Sequence, residues 1–176
     1  MENLSREVPL GALDRLVFYG MLRRVEDPDR ISRLHHRFWA GAEGRAFAGQ
    51  YRDRFENWFL SNHIAVVDEL EKHLEKDEDR YECLYEIGCG DGQVVDYLST
   101  RLKAIDRFVG LDINEQVILE NQQRYDRPNL RFCCGNAVEW IPSHAGPRSV
   151  FMSNDGVMEY FSETEIRALL RRIAAD

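Results

Sequence analysis

The sequence lacks any apolar run long enough to cross a membrane, and it lacks the features of a secretory leader. Its first seven residues, Met1–Glu7, are mostly polar or charged, whereas a signal peptide carries an apolar segment of about seven residues or more. A membrane-spanning helix needs about 20 consecutive, mainly apolar residues, and no stretch of the chain reaches this length. We therefore expect a cytoplasmic protein that has no membrane partner.

Clusters of basic residues are also absent. The net charge is −8, acidic and basic side chains are mixed throughout, and lysine is scarce beside arginine. A protein that binds nucleic acid through the phosphates ordinarily carries a basic patch or stripe. The composition therefore disfavours a nucleic-acid partner.

Cysteine is present but lacks the spacing of a metal site. Cys83, Cys89, Cys133 and Cys134 do not form the paired pattern of a zinc site, and the histidines lack the spacing and carboxylate partners of one. We predict no metal. The four cysteines are expected to be reduced and mostly buried, as in a cytoplasmic protein.

What the chain does contain is a change of pattern near residue 80. Before it, apolar residues at helical spacing predict helices over 10–25, 29–40, 43–60 and 61–76, with an interruption near Gly41. The charged run Glu75–Arg80 is typical of a solvated linker. We place a domain boundary there, with an N-terminal helical cap over residues 1–80 and an α/β unit over residues 81–176.

In the second unit, strands and helices alternate. The predicted strands are 83–87, 108–112, 130–134 and 149–153, and the predicted helices are 92–101, 114–124, 137–141 and 163–174. Asn114 is placed to cap its helix, Ser162 and Glu165 form a capping box, and 142–147 is expected to be a loop. Short connections between alternating strands and helices predict a parallel sheet with helices on both faces.

The most informative segment is Tyr85–Gly92. A short apolar strand is followed by an acid, Glu86, and by glycines at 88, 90 and 92, and then by a helix. Twenty residues further on, Asp112 ends the next strand. Glycines allow a ligand to approach the backbone closely, and an acid at this distance is placed to bind the two hydroxyls of a ribose. The pattern predicts a nucleoside site, although a glycine turn that merely joins strand to helix remains open.

The spacing of the glycines indicates which nucleoside. A dinucleotide fold requires a third glycine at position 93, where this chain has Gln93. The pattern E-x-G-x-G-x-G resembles the first motif of the class I S-adenosylmethionine (SAM)-dependent methyltransferases. The resemblance implies a Rossmann-like doubly wound parallel sheet, SAM as cofactor and strand order 3-2-1-4. A nicotinamide-dependent oxidoreductase is the alternative enzyme class.

The resemblance also implies roles for individual residues. Glu86 would hold the glycine loop and the ammonium of SAM, Asp112 would bind the ribose, and Ile113 would lie against the adenine. The residues expected to bind the cofactor are Glu86, Gly88, Cys89, Gly90, Gly92, Asp112, Ile113, Asn136, Ala137 and Asn154. Asn136 stands where many family members have an acid that accepts a hydrogen bond from the adenine amino group. For Glu86 and Asp112 a helix-capping role stays open, and for Asn136 that of an ordinary turn residue.

The segment after the fourth predicted strand and the aromatic cap are expected to complete the site. Residues 157–160 resemble the V-L-E-H segment of small-molecule methyltransferases, with Tyr160 in place of the histidine. Asp155, Glu159 and Tyr160 are the candidates for a catalytic group. In the cap, Tyr51 and Arg54 lie one helical turn apart, and one of them is expected to hold the carboxylate of SAM.

Together these features predict a SAM-dependent methyltransferase (EC 2.1.1.-) that acts on a small molecule by SN2 displacement. A SAM-binding regulatory module without turnover is the other hypothesis. The resemblance covers the cofactor half of the fold, and the apolar fourth strand would lie at an exposed edge, which favours association. We therefore expect a homodimer or a missing C-terminal segment. Made alone, the chain should aggregate, dimerise through that edge or bind SAM weakly, and it should not turn over.

Overall fold

The N-terminal part of the protein is helical, as the sequence predicted. The computed structural model describes residues 12–51, 55–76, 81–154 and 156–174. The helices are α1 (Ala12–Leu22), α2 (Pro28–Ala40), α3 (Ala42–Tyr51) and α4 (Ser61–Lys76), with a π-helical turn at Phe55–Leu60. Helix α2 begins because Asp27 accepts hydrogen bonds from two backbone N–H groups of its first turn, and it ends at Gly41. The predicted interruption near Gly41 is confirmed.

The prediction of one helix over 43–60 is wrong, because α3 ends at Tyr51 and the segment up to α4 contains the π-helical turn. In this wider turn Phe59 is only 1% exposed. Its ring stacks on that of Phe55 with 5.6 Å between centroids. Phe55 and Phe59 therefore belong to the core, whereas Trp58 of the same turn is exposed.

A four-stranded parallel sheet follows, and its order β3-β2-β1-β4 confirms the predicted Rossmann-like fold. The strands are β1 (Tyr81–Ile87), β2 (Ile105–Asp112), β3 (Leu130–Cys134) and β4 (Ser149–Ser153). Strand β2 starts three residues before its predicted start because Ile105 already pairs with Tyr81 of β1. The polar pair Asp106 and Arg107 of this extension is exposed, so the apolar pattern alone did not reveal it.

Helices connect the strands. They are α5 (Gln93–Arg101), α6 (Glu115–Arg124), α7 (Ala137–His144) and α8 (Glu163–Ile173), with a 3-10 turn at Val157–Tyr160. The capping roles of Asn114 and of the Ser162–Glu165 box are confirmed. Helix α7 is longer than predicted because Pro142 interrupts it without ending it: the backbone N–H of Ala145 still donates to the carbonyl of Ile141 at 2.9 Å.

The two faces of the sheet carry separate cores. Leu84 of β1 packs in a cluster with residues of α4, α5 and α6, whereas Tyr85 and Ile87 pack with residues of α7 and α8. Helices α1 and α2 form a third cluster, in which the Phe18 and Phe38 rings stack at 4.6 Å. Alternate side chains of one strand thus anchor helices on both faces of the sheet, and α2 and α3 lie at the C-terminal ends of the strands.

Strand β4 lies at one edge of the sheet. Within the part of the chain that the structure describes, it pairs only with β1. Its apolar residues Val150, Phe151 and Met152 are half-buried. No helix among the described residues is long and apolar enough to cross a membrane. The division into residues 1–80 and 81–176 stays a prediction, and residues 77–80 at that boundary lie outside the described ranges.

All four cysteines are free thiols. Cys83 and Cys89 are buried, as expected, and Cys133 is half-buried. Cys134 is exposed, which corrects the expectation of mostly buried thiols. The reason is its position as the last residue of β3, the strand at the other edge of the sheet.

Candidate functional site

A cleft opens where β1 and β2 end, between the sheet and helices α2 and α3. It contains about 1030 Å³ of empty space, part of which is open to solvent. Nine of the predicted cofactor-binding residues line it. From the end of β1 and the loop these are Glu86, Gly88, Cys89 and Gly90. From the ends of the other strands they are Asp112, Ile113, Asn136, Ala137 and Asn154.

The glycine loop is held by the end of β2. The backbone N–H groups of Gly88 and Cys89 both donate to the carbonyl of Leu111, at 2.7 and 3.0 Å. Gly90 has a left-handed φ of +50°, and a Cβ built on it would meet nothing within 4 Å. Since Gly90 lines the cleft, that open space is where a ligand can approach its backbone.

Gly92 has a different role. Its φ is +79°, and a Cβ there would lie 2.7 Å from the ring of Phe132. It begins α5 and is not part of the cleft lining. The structure therefore separates a glycine that faces the ligand space from one that permits close packing behind the loop.

Asp112 bonds to the loop as well as to its own turn. Its Oδ2 accepts a hydrogen bond from the backbone N–H of Gly90 at 3.0 Å, and its Oδ1 accepts one from Asn114 at 2.9 Å. Burial raises the pKa of Asp112, and the backbone N–H groups of Asn114 and Gly90 act in the opposite direction. The backbone N–H of Ile113 also acts to lower this pKa. A carboxylate has about four lone-pair sites, so Asp112 keeps acceptor capacity for a ligand.

Two other acids lie beside the loop. Glu86, the next-to-last residue of β1, is only 2% exposed, and Asp91 is 4% exposed. Asp91 accepts hydrogen bonds from the backbone and side-chain nitrogens of Gln93, at 3.3 and 2.7 Å. Asp91 thus binds the first backbone N–H of α5, whose N-cap is Gly92 without a side-chain cap, and the capping role considered for Glu86 stays a prediction. The sequence analysis did not name Asp91; the signal that could have revealed it is an Asp in a turn, whose side chain bonds the backbone two residues on.

Asn136 combines the two roles that the sequence left open. It is the N-cap of α7, because its Oδ1 accepts a hydrogen bond from the backbone N–H of Val138 at 3.1 Å. It also lines the cleft, beside Ile113 and Ala137. Its Nδ2 lies 3.1 Å from Nδ1 of His36, a residue of α2 that the sequence analysis did not assign to the site.

Aromatic side chains cover the cleft. The Trp39 ring lies 5.4 Å from the Phe47 ring and 5.1 Å from the Tyr160 ring, and all three residues line the cleft. The indole Nε1 of Trp39 is buried and has no hydrogen-bond partner among the described residues. A buried donor without a partner is costly, so this atom is suited to a ligand acceptor.

Tyr160 also borders a second depression, between α1 and the 3-10 turn. This groove contains about 930 Å³ of empty space, part of it open to solvent, and is lined by Tyr19, Leu22, Arg23, His35, Glu159 and Tyr160. Burial raises the pKa of Tyr160. The His35 ring lies 5.0 Å from the Tyr160 ring, and burial, followed by the charge of His36, lowers the pKa of His35.

Three predicted site residues cannot be placed in this geometry. Arg54 and Asp155 lie outside the described residues, and so does the side chain of Tyr51. Their predicted roles stay predictions. Among the described residues, no group of three or more potential metal ligands comes together.

A model of the methyltransferase-domain family matches residues 84–175, which is more than half of the chain. The chain belongs to this family. It is a class I SAM-dependent methyltransferase domain, and family membership excludes the nicotinamide-dependent oxidoreductase that the sequence left open. No curated protein sequence matches the chain significantly.

Solved methyltransferase structures share its fold. The plantazolicin methyltransferase BamL, in complex with a triazolic desmethylPZN analog and SAH, is 19% identical and matches with a TM-score of 0.60 over 89% of this chain and 56% of that one. For the plantazolicin methyltransferase BpumL the values are 18%, 0.60, 88% and 57%. For CalS10, an amino pentose methyltransferase from Micromonospora echinaspora, they are 17%, 0.50, 74% and 50%. This methyltransferase domain thus spans 50–57% of the length of these proteins.

Proposed function

We propose that this chain binds SAM in the cleft and, within a dimer or a longer protein, transfers its methyl group to a small-molecule acceptor. One observation carries the proposal: Asp112 joins the ligand-facing glycine Gly90 by a hydrogen bond from the Gly90 backbone N–H, at 3.0 Å. That pair provides open space beside a backbone and an acceptor for ribose hydroxyls at the same point of the cleft.

The residues that line the cleft support an assignment to the parts of SAM. Asp112 would hold the ribose, and Ile113, Asn136 and Ala137 would hold the adenine. Glu86, Cys89 and Asn154, with the glycines, would contact the methionine part. The unpartnered Nε1 of Trp39 would donate to an acceptor atom of the ligand, and Tyr51 and Arg54 remain the proposed partners of its carboxylate.

SAM supplies a methyl group activated on a sulfonium. Methyl transfer requires mainly alignment of the acceptor with that methyl group, and exclusion of water. The aromatic side chains of Trp39, Phe47 and Tyr160 can do both, because they cover the cleft and an aromatic face attracts a positive charge.

The acceptor would enter through the groove at Tyr160, because Tyr160 borders both the groove and the cleft. The raised pKa of Tyr160 keeps its phenol protonated at neutral pH, so Tyr160 would act as a hydrogen-bond donor. Glu159 and the neutral imidazole of His35 line the same groove and are the proposed proton acceptors, with Asp155 beside them in sequence. Such a base is needed only for a nucleophile that carries a proton of high pKa.

Isothermal titration calorimetry with SAM, SAH and NAD tests the binding part of this proposal. We expect SAM and SAH to bind and NAD not to bind. Formation of SAH in the presence of small-molecule acceptors then tests turnover against the second hypothesis, a SAM-binding module. Absence of SAM and SAH binding by a folded chain would contradict the proposal altogether, and binding without SAH formation would favour the module.

A cytoplasmic location, with four free thiols, is part of the same proposal.

A further inference from the structure

A chain of hydrogen bonds crosses from the cleft to helix α8 through His36. Asn136 Nδ2 lies 3.1 Å from His36 Nδ1, and His36 Nε2 lies 3.3 Å from Ser32 Oγ. The Ser32 hydroxyl donates to the Glu165 carboxylate, which also accepts the backbone N–H of Ser162 at 2.8 Å. Helix α2 thereby places one imidazole between a residue of the cleft and a capping box.

The chemistry of these groups fixes the direction of each bond. A carboxylate only accepts, so the Ser32 hydroxyl proton points at Glu165 and the Ser32 oxygen is left to accept from His36 Nε2–H. The other ring nitrogen, Nδ1, then carries a lone pair and accepts from Asn136 Nδ2–H. Burial lowers the pKa of His36, which favours this neutral form, although Glu165 and Glu139 act in the opposite direction.

The amide of Asn136 is therefore held at both ends. Its oxygen accepts the backbone N–H of Val138 at 3.1 Å, and its nitrogen donates to His36. If the amide were flipped, its NH₂ group would face the N–H of Val138 and its oxygen would face the lone pair of His36. Both bonds would be lost, so only one orientation is satisfied.

We propose that His36 is a positioning residue that locks the Asn136 amide so that the cleft selects adenine over other purines. In the locked orientation, the second lone pair of Oδ1 and the second Nδ2 proton remain for the ligand. An asparagine amide reads the Watson–Crick edge of adenine by accepting from its amino group and donating to ring nitrogen N1. Hypoxanthine presents a carbonyl and a ring N–H at the corresponding edge, and it matches the flipped amide. This inference rests on the proposed SAM site.

The test uses calorimetry to compare the affinity for SAH with that for S-inosyl-homocysteine. In the second ligand a carbonyl replaces the adenine amino group. In the wild-type chain SAH should bind more tightly. His36→Phe keeps an aromatic ring against Phe161, 5.2 Å away, but removes the acceptor. It should reduce the SAH preference about tenfold, the effect of roughly one hydrogen bond. His36→Asn supplies an acceptor near the position of Nδ1 and should restore part of the preference.

His63→Phe is the matched control. Like His36, His63 lies against an aromatic ring, that of Phe59 at 5.6 Å. Unlike His36, its Nδ1 is buried without a partner among the described residues, and it does not line the cleft. This variant should keep the wild-type preference.

A pH series gives a readout that needs no substitution. Protonated His36 cannot accept from Asn136, so the wild-type preference for SAH should fall as pH drops below the ordinary histidine pKa of about 6.5, and it should stay level in His36→Phe. The titratable groups that face His36 are Glu165 of α8, Glu139 of α7 and His35 of α2, and all of them are retained in that variant.

The outcomes separate this inference from the proposed function. If the wild type binds SAH and His36→Phe keeps the same preference, or loses affinity for both ligands equally, His36 does not position Asn136 and only the inference fails. If the wild type binds neither ligand, the proposed function fails with it. Should His36→Phe not fold, His36→Asn and the wild-type pH series decide the matter, since a preference that does not change with pH overturns the inference.

Discussion

At the residue scale, the carboxylate of Asp112 is the group of the cleft with the most proposed hydrogen bonds. It accepts backbone N–H groups from Gly90 and Asn114 and is proposed to accept both ribose hydroxyls. Asp112→Ala removes these acceptors, so we expect SAM binding to weaken by about 1.5–3 kcal/mol, the range for hydrogen bonds to a charged group. Calorimetry measures the loss, and circular dichroism checks that the fold persists. Unchanged SAM affinity in a folded variant would show that the ribose does not bind there.

Gly90 and Gly92 make a matched pair. Both have a left-handed φ, which costs an alanine about 1–2 kcal/mol, but only the Cβ of Gly92 would strike neighbouring rings. Gly90→Ala should therefore reduce the free energy of SAM binding more than the free energy of unfolding. Gly92→Ala should reduce the free energy of unfolding more, which the thermal midpoint reports. Equal losses of stability and binding in both variants would mean that neither glycine has a ligand role separate from packing.

At the scale of elements, Asn114 ties the N-terminal helices to the sheet. It is 2% exposed, it caps α6 by accepting from Val117, and its Nδ2 donates to the carbonyls of Trp39 and Gly41 at 3.0 and 2.7 Å. Asn114→Ala loses a cap and two part-buried hydrogen bonds to the carbonyls of Trp39 and Gly41, so we expect a cost of about 2–3 kcal/mol in the free energy of unfolding.

Urea denaturation measures this cost in the free energy of unfolding, and it measures two control variants in the same way. Asn114→Asp keeps an N-cap residue but cannot donate to the two carbonyls, and it should be no more stable than Asn114→Ala. Asp27→Ala removes an exposed cap, that of α2, and should cost only about 1 kcal/mol. Wild-type stability of Asn114→Asp would mean that the bonds to α2 contribute nothing.

The elements that the sequence predicted well are those whose signals are local. The bounds of β3, β4 and α4 match their predictions because apolar periodicity and nearby charged or turn residues determine them. The sheet side of the cleft was also predictable, since its residues follow successive strands. The side of the cleft formed by the N-terminal helices was not predictable, because His36 contacts Asn136, one hundred residues away in the sequence. Only the packing of α2 over the strand ends creates that contact.

At the scale of the whole molecule, the edge of β4 is the feature with the largest consequence for behaviour in solution. Its apolar residues carry no lysine or proline to prevent pairing with another strand. We expect the 176-residue chain made alone to associate, and light scattering would measure this. Ser153→Lys, at an exposed position of β4, should reduce association, whereas Ser143→Lys, at an exposed position of α7, should not. A wild-type monomer that transfers methyl groups would contradict this expectation.

The hydrogen bonds of Asn114 also bear on how long a ligand stays in the cleft. The carbonyls that it binds belong to Trp39 and Gly41, at the end of the helix that covers the cleft, while its own backbone N–H donates to Asp112. The C-terminal end of α2 and Asp112 at the end of β2 are thus joined through Asn114. The end of α2 cannot move away from the cleft unless both hydrogen bonds of the Asn114 side chain break. We therefore expect a bound nucleoside to leave slowly, and we expect Asn114 to affect its residence time more than its equilibrium affinity.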